Sequence, residues 1–168
     1  MPSIKPTGAV LGATVTGIDL AEPLGEREFA EILLNLGRYG VLRFPDQHLD
    51  LAALKRFSER FGDIQGNPIR DADTDRDFPE IDILSNVKEN NQYIGSPDAG
   101  QDWHTDMTYR DVPGFVNVLY GINIPHRDGK PLGGTEFSNM HLAYEALPEA
   151  IKTRLDGMNA TQDRKSVV

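Results

Sequence analysis

Cysteine is absent from this sequence, and its absence narrows the chemistry available to the protein. Without thiols there are no disulfides, no cysteine nucleophile and no zinc-thiolate site. Any metal or catalytic centre must therefore use oxygen and imidazole ligands. The absence is also compatible with a reducing compartment. Because residues 1–6 carry no apolar segment typical of a signal peptide, we expect a cytoplasmic protein.

Positive charge and long apolar runs are also scarce. The 17 Lys and Arg residues are scattered against 26 Asp and Glu residues, which gives a formal net charge of −9. Nucleic acids and anionic membrane surfaces are bound by concentrated basic residues, so neither kind of partner is expected. No stretch approaches the roughly 18 apolar residues of a membrane span. The length of 168 residues, 39% of them hydrophobic, fits a single domain spanning 1–168.

Apolar residues at helical spacing predict several helices. In the first of them, Phe29, Ile32, Leu33 and Leu36 follow the i, i+3, i+4, i+7 pattern of one helix face. Glycines provide stop signals after that helix, and Asp50 is the expected N-cap of the second. The predicted helices cover residues 25–39, 51–60, 138–147 and 148–155.

Other segments favour strands and loops. Strands are predicted as a glycine-punctuated pair within 8–20, and at 41–44, 81–84 and 115–124. Residues 66–80 and 86–102 are rich in Asp, Asn, Gly and Pro, which is typical of loops. Long loops in compact domains are usually functional or mobile, so 86–102 is a candidate lid. The alternative is that 86–102 is simply a disordered loop.

The most informative segment is Trp-His-Thr-Asp at 103–106. On a strand, residues i and i+2 point to the same face, so His104 and Asp106 could bind one metal ion. An imidazole and a carboxylate are two thirds of the 2-His-1-carboxylate site of non-haem iron oxygenases. The spacing alone is a weak signal. The segment also lies at a predicted junction of loop and strand, where a bound metal would stay open to substrate. This position strengthens the prediction of a metal site.

The other histidines are weaker candidates for a third ligand. His48 lies in a polar turn where solvent exposure is expected, and His141 lies in a predicted helix, where surface or interface packing is expected. His126 follows His104 by 22 positions, yet it borders 127–130, which reads as a solvated hairpin turn. Motifs of other catalytic classes are missing, including Gly-x-Ser-x-Gly, the P-loop and Gly-x-Gly-x-x-Gly after a strand.

Several ordered motifs resemble the TauD/TfdA family of Fe(II)- and 2-oxoglutarate-dependent dioxygenases. They lie at 103–109, 133–137 and 143–148, with upstream matches at 40–47 and 56–63, and together they cover nearly the whole chain. The resemblance implies a mainly β fold with flanking α-helices. That fold is a double-stranded β-helix of the jelly-roll or cupin-like type.

The resemblance also implies roles for individual residues. His104 and Asp106 match the first two iron ligands, and Thr135 matches the threonine that helps to bind the distal carboxylate of 2-oxoglutarate. The family often has Gly-Gly-Asp-Thr at this point, whereas the aspartate is missing here. Asn67 and Gly100 stand where taurine-type members contact the substrate through a histidine and an asparagine. Taurine is therefore disfavoured as the substrate. Another sulfonate, a sulfate ester, or an aryloxy or carboxylic acid is a candidate substrate.

By resemblance, this is an enzyme in which Fe(II) and the cosubstrate 2-oxoglutarate activate O2 to hydroxylate a small anionic substrate. Succinate and CO2 are released. The family's second histidine ligand and the arginine that pairs with 2-oxoglutarate lie farther downstream. No histidine follows His141, so the sequence predicts a chain and a fold that are incomplete at the C-terminus.

Three interpretations follow. The first is the N-terminal part of a dioxygenase, inactive or crippled as given because the second histidine ligand and the 2-oxoglutarate arginine are missing, but describing an active parent. Oligomers are common in the family, so the resemblance also implies a homo-oligomer. The second is a truncated, non-catalytic binding or interaction module that keeps part of the fold. The third and weakest places a metal between His104, Asp106 and His126.

Overall fold

A computed structural model of the chain describes residues 2–65 and 77–160. The described residues divide into two compact units. One consists of 2–57 with 119–159, and the other consists of 58–65 with 77–118 and residue 160. That the whole of 1–168 is one domain stays a prediction. In the described parts of both units, no helix has the length and apolar character needed to cross a membrane.

A small mixed sheet opens the first unit. Strand β1 (Ser3–Pro6) pairs antiparallel with β2 (Ala13–Thr16), and β2 pairs in parallel with β3 (Leu42–Arg43). The strand predicted at 41–44 is thus confirmed in shortened form. Its residues are half-buried or exposed, which differs from the buried strand that its apolar composition predicts.

The strand pair predicted within 8–20 is confirmed only in its second half. Residues 8–11 form the connecting turn, and the first strand lies earlier in the chain. Gly8 and Gly12 adopt φ angles of 85° and 96°, in the left-handed region that glycine enters without steric cost. The amide of Thr7 donates to the carbonyl of Gly12 at 3.0 Å and closes the turn.

Both helices predicted in the first third of the chain are confirmed, as α1 (Glu26–Tyr39) and α2 (Leu51–Glu59). At the start of α1, the carboxylate of Glu28 accepts a hydrogen bond of 3.0 Å from the amide of Gly25. At the start of α2, the carboxylate of Asp50 accepts one of 2.7 Å from the amide of Ala53. These bonds satisfy amides that have no partner within the first turn of a helix.

The hydrophobic core lies between this sheet and these helices. The ring of Phe57 on α2 meets that of Phe44 edge to face, with centroids 5.9 Å apart. Each fully buried large apolar side chain is worth about 1.5–3 kcal/mol relative to an exposed one, so this cluster accounts for much of the unit's stability. Its buried members are Ala13, Val15, Leu20, Phe29, Ile32, Ala53, Leu54 and Phe57.

Gln47 joins two loops beside this core. Its side-chain oxygen accepts from the amide of Leu20 at 2.7 Å, and its nitrogen donates to the carbonyls of Ile18 at 3.1 Å and Pro45 at 3.0 Å. The hydroxyl of Tyr120 donates to the carbonyl of Gln47 at 3.3 Å. Through Tyr120, the beginning of 119–159 is tied to the rest of its unit.

The remainder of 119–159 consists of a hairpin and two helices. Strands β6 (His126–Arg127) and β7 (Lys130–Pro131) flank a turn at 128–129, which confirms the predicted hairpin turn. Helix α3 (Met140–Glu145) is capped by Asn139, whose side chain accepts from the amide of Leu142 at 3.0 Å, and α4 (Glu149–Leu155) follows. Both predicted helical regions are confirmed, although no residue of α3 or α4 is buried.

The secondary structure of the second unit differs most from the prediction. The predicted loop 86–102 contains a hairpin of β4 (Lys88–Glu89) and β5 (Gln92–Tyr93). Its turn residues Asn90 and Asn91 have φ angles of 47° and 64°, values that asparagine tolerates and that two-residue hairpin turns require. Residues 81–84, predicted as a strand, contain isolated bridge positions at Asp82 and Leu84, of which Leu84 pairs with Ser96.

The predicted strand 115–124 is wrong for the described structure, in which this run belongs to no sheet. Exposure still alternates along it, since Val116 and Val118 are half-buried while Phe115, Asn117 and Leu119 are exposed. The run has the alternating exposure of a strand, but no segment within 2–65 and 77–160 forms the backbone hydrogen bonds of a sheet with it. The described strands therefore form one three-stranded sheet and two hairpins rather than the facing sheets of a complete jelly roll.

Candidate metal centre

The side chains of His104 and Asp106 converge, as their spacing predicts. Nε2 of His104 lies 3.1 Å from Oδ1 of Asp106. The side chains are 36% and 48% exposed, so an ion in solution can reach both. The expected strand is absent, however, because 103–105 are irregular and a turn begins at Asp106. The two side chains meet through loop geometry and not through the two-residue period of a strand.

A tight turn directly after Asp106 fixes this geometry. Met107 adopts a φ of 56°, which is uncommon for a residue other than glycine. The amide of Arg110 donates to the carbonyl of Met107 at 3.1 Å and closes the turn. Such conformations persist only where the surroundings hold them, and they concentrate at functional sites.

The other ring nitrogen of His104 has a partner of its own. Nδ1 lies 2.7 Å from the backbone carbonyl of Asp102. A carbonyl only accepts, so Nδ1 carries the proton, and in the neutral ring Nε2 presents a lone pair toward Asp106. Metal-binding histidines almost always donate their second N–H to a carbonyl or carboxylate in this way.

Asp106 is also held from a second side. Nδ2 of Asn117 donates to its Oδ2 at 2.6 Å, while Oδ1 faces His104. The sequence interpretation missed Asn117. The available signal was a single amide side chain within the apolar run 115–120, a place where a polar residue needs a partner.

The donor atoms fit an iron ion. Two acceptor atoms 3.1 Å apart repel unless a proton or a cation lies between them. Imidazole nitrogen with carboxylate oxygen is the donor set of non-haem iron centres. The separation is compatible with both atoms binding one ion at ligand distances of about 2.0–2.2 Å, values typical of protein nitrogen and oxygen ligands of zinc.

A third protein ligand is not found beside this pair in the described residues. No three His, Asp or Glu side chains come together there as a metal site. This finding speaks against the alternative that added His126. That residue begins β6, is exposed, and has its Nδ1 at 2.9 Å from the carbonyl of Ile124. His48 and His141 are exposed.

The remaining predicted site residues are placed as follows. Gly100 lies beside the candidate centre, since a Cβ at this position would lie 3.8 Å from Cε1 of His104. Thr135 belongs to the other unit, where it is exposed in the segment after β7. Asn67 lies outside the described residues. His104, Asp106 and Gly100 are therefore the predicted residues that the structure brings together.

Comparisons with known proteins show that most of the chain is similar to one family. The model of a family described as taurine catabolism dioxygenase TauD, TfdA family matches residues 3–168. The chain is 32% identical over 163 residues to pentalenolactone F synthase of Streptomyces avermitilis, which covers 95% of the chain and 52% of that protein. It is 30% identical over 167 residues to the alpha-ketoglutarate-dependent 2,4-dichlorophenoxyacetate dioxygenase of Cupriavidus pinatubonensis, covering 93% of the chain and 56% of that protein.

A solved structure is also similar to most of the chain. The crystal structure of a taurine dioxygenase from Burkholderia xenovorans is similar to this chain with a TM-score of 0.70 at 28% identity. The match covers 93% of the chain and 51% of that structure. The chain spans about half the length of the curated relatives that it matches.

Proposed function

The chain belongs to the TauD/TfdA family of dioxygenases, and from this membership we propose that it carries the His-x-Asp part of an iron site. The reaction is the hydroxylation of a small organic acid with 2-oxoglutarate as cosubstrate, releasing succinate and CO2. The single observation that supports this function best is the convergence of His104 and Asp106 at 3.1 Å. The proposed fold of the full domain is a jelly roll, supported by the similarity to a taurine dioxygenase over most of the chain.

The proposed centre assigns a task to each residue. Nε2 of His104 and Oδ1 of Asp106 would hold Fe(II), and the ion would supply the activation of O2 when 2-oxoglutarate is also bound. The carbonyl of Asp102 keeps the proton on Nδ1 of His104, so that Nε2 stays free for the metal. Thr135 contributes to binding the distal carboxylate of 2-oxoglutarate.

The proposed substrate is a sulfonate, a sulfate ester or an aryloxy or carboxylic acid. The names of two similar proteins support this class, since one acts on 2,4-dichlorophenoxyacetate and the other is a taurine dioxygenase. Gly100 and Asn67 are proposed as substrate contacts. Because a glycine lies against the ring of His104, the space beside the ring is open to part of a substrate.

Oxygen consumption tests this function directly. With Fe(II) and 2-oxoglutarate, we expect a protein that extends this chain to the full length of its relatives to consume O2 and release succinate, and His104→Ala in it to abolish both, since the ring nitrogen that binds the metal is lost. His141→Ala is the matched control, because His141 is exposed on α3, outside the centre, and its removal leaves the rate unchanged. An oxygen uptake that persists in His104→Ala would show that the iron assignment is wrong.

A second candidate function is a non-catalytic binding module. The observation that favours it is the lack of a three-residue metal site among the described residues. Such a module would bind 2-oxoglutarate or an organic acid without consuming O2. Binding by calorimetry, together with no oxygen uptake even in the protein extended to the full length of its relatives, would select the module over the enzyme.

A further inference from the structure

We propose that Asn117 is a positioning residue that holds Asp106 as a monodentate ligand, so that only Oδ1 faces the metal. The inference rests on the proposed iron site. It assigns to Asn117 a role that the motif at 103–109 does not contain, because Asn117 lies beyond that motif.

The contact with Asn117 divides the two oxygens of Asp106 between two tasks. Oδ2 accepts the short hydrogen bond of 2.6 Å from Nδ2 of Asn117, and Oδ1 lies 3.1 Å from Nε2 of His104. A carboxylate accepts only, so the amide must present its nitrogen here. The bond restricts rotation about the last side-chain torsion of Asp106, so that one oxygen faces Asn117 and the other faces the metal position.

The backbone between the two residues brings them together. The turn at Met107 reverses the chain, and a Cβ at Gly114 would lie 3.7 Å from Sδ of Met107, so the two ends of this loop are in contact. Asn117 then reaches Asp106 across 11 residues of sequence. The contact is not a local side-chain bond of the kind that neighbouring residues make.

The chemistry of asparagine suits this task. An uncharged amide orients the carboxylate without neutralising its negative charge. That charge is needed to attract the metal cation. A lysine or arginine at the same place would compete with the cation for Asp106. A carboxylate that binds through one oxygen also occupies one coordination position fewer than a bidentate one. The position left over stays open to the cosubstrate or O2.

Metal affinity, measured without turnover, tests the proposal. Mn(II) is titrated into the chain, and the free ion is followed by electron paramagnetic resonance. Because loss of a residue that orients a metal ligand typically weakens binding 10–100-fold, and Asn117 is exposed, we expect about tenfold weaker binding in Asn117→Leu. Asn117→Ala should weaken binding to a similar degree, while Asn117→Gln, which keeps an N–H donor, should retain most of the affinity.

Two further variants separate the possible failures. Asn35→Ala removes an amide that donates to the carbonyl of Glu31 on α1 at 2.8 Å, and it should leave the affinity unchanged. If His104→Ala weakens binding and Asn117→Leu does not, the role of Asn117 is wrong and the iron site stands. If the unchanged chain binds no Mn(II), or if His104→Ala binds as tightly as the unchanged chain, the proposed iron site is wrong and the role of Asn117 falls with it.

Discussion

Gly95 shows how one residue constrains the unit that carries the candidate centre. A Cβ at Gly95 would lie 2.3 Å from the carbonyl oxygen of Ile83, and that carbonyl also accepts from the amide of Ser96 at 2.9 Å. Gly95→Ala forces the two segments apart, and overpacking of this kind costs about 1–3 kcal/mol. We expect a lower urea midpoint when unfolding is followed by the fluorescence of Trp103, the only tryptophan, which lies in the same unit.

The matched control for this substitution is Gly37→Ala. Gly37 lies within α1, and a Cβ there meets nothing within 4 Å. Since alanine is favoured over glycine inside a helix, this variant should gain about 0.5–1 kcal/mol in the free energy of unfolding, followed by circular dichroism. A Gly95→Ala protein as stable as the parent would show that the close approach to Ile83 is relaxed in solution.

Among the elements, α2 depends on its N-terminal cap. The carboxylate of Asp50 accepts from the amide of Ala53 at 2.7 Å, and Ala53, Leu54 and Phe57 on this helix are all buried in the core. Asp50→Ala should therefore lower the free energy of unfolding by about 1 kcal/mol. Asp50→Ser keeps an oxygen acceptor and should recover most of the loss. Equal thermal midpoints for the alanine and serine variants would contradict this role of the cap.

The difference between local and long-range contacts explains which elements the sequence could predict. The hydrogen bonds of α1 and α2 join residues four apart, so local apolar spacing, the glycines after α1 and the N-cap at Asp50 were sufficient to predict both helices. A strand needs a partner from elsewhere in the chain, and the pattern of 115–124 carries no information about whether one is present. Likewise, the spacing of His104 and Asp106 predicted that they meet, whereas the contact with Asn117 depends on a turn that local pattern did not reveal.

At the scale of the molecule, the two parts of the first unit differ in how they bury apolar side chains. The buried apolar residues of the described structure all lie between Ala13 and Phe57, and α3 and α4 contribute none. In the later part, large apolar side chains are exposed instead. They include Leu119, Ile122, Ile124, Phe137, Met140, Leu142 and Met158. Burial of these side chains against another copy would remove their apolar area from water, so they favour association.

We therefore expect this chain of 168 residues to self-associate in solution. Size-exclusion chromatography with light scattering should give a mass above that of a monomer, rising with concentration, because contact between copies removes apolar surface from water. Ile122→Ser with Phe137→Ser should shift the distribution toward the monomer, since these side chains are 80% and 57% exposed. Leu34→Gln, at a position 69% exposed on α1, is the control and should change little. A compact monomer at every concentration, or an equal effect of the control, would show that 119–158 is not the associating surface.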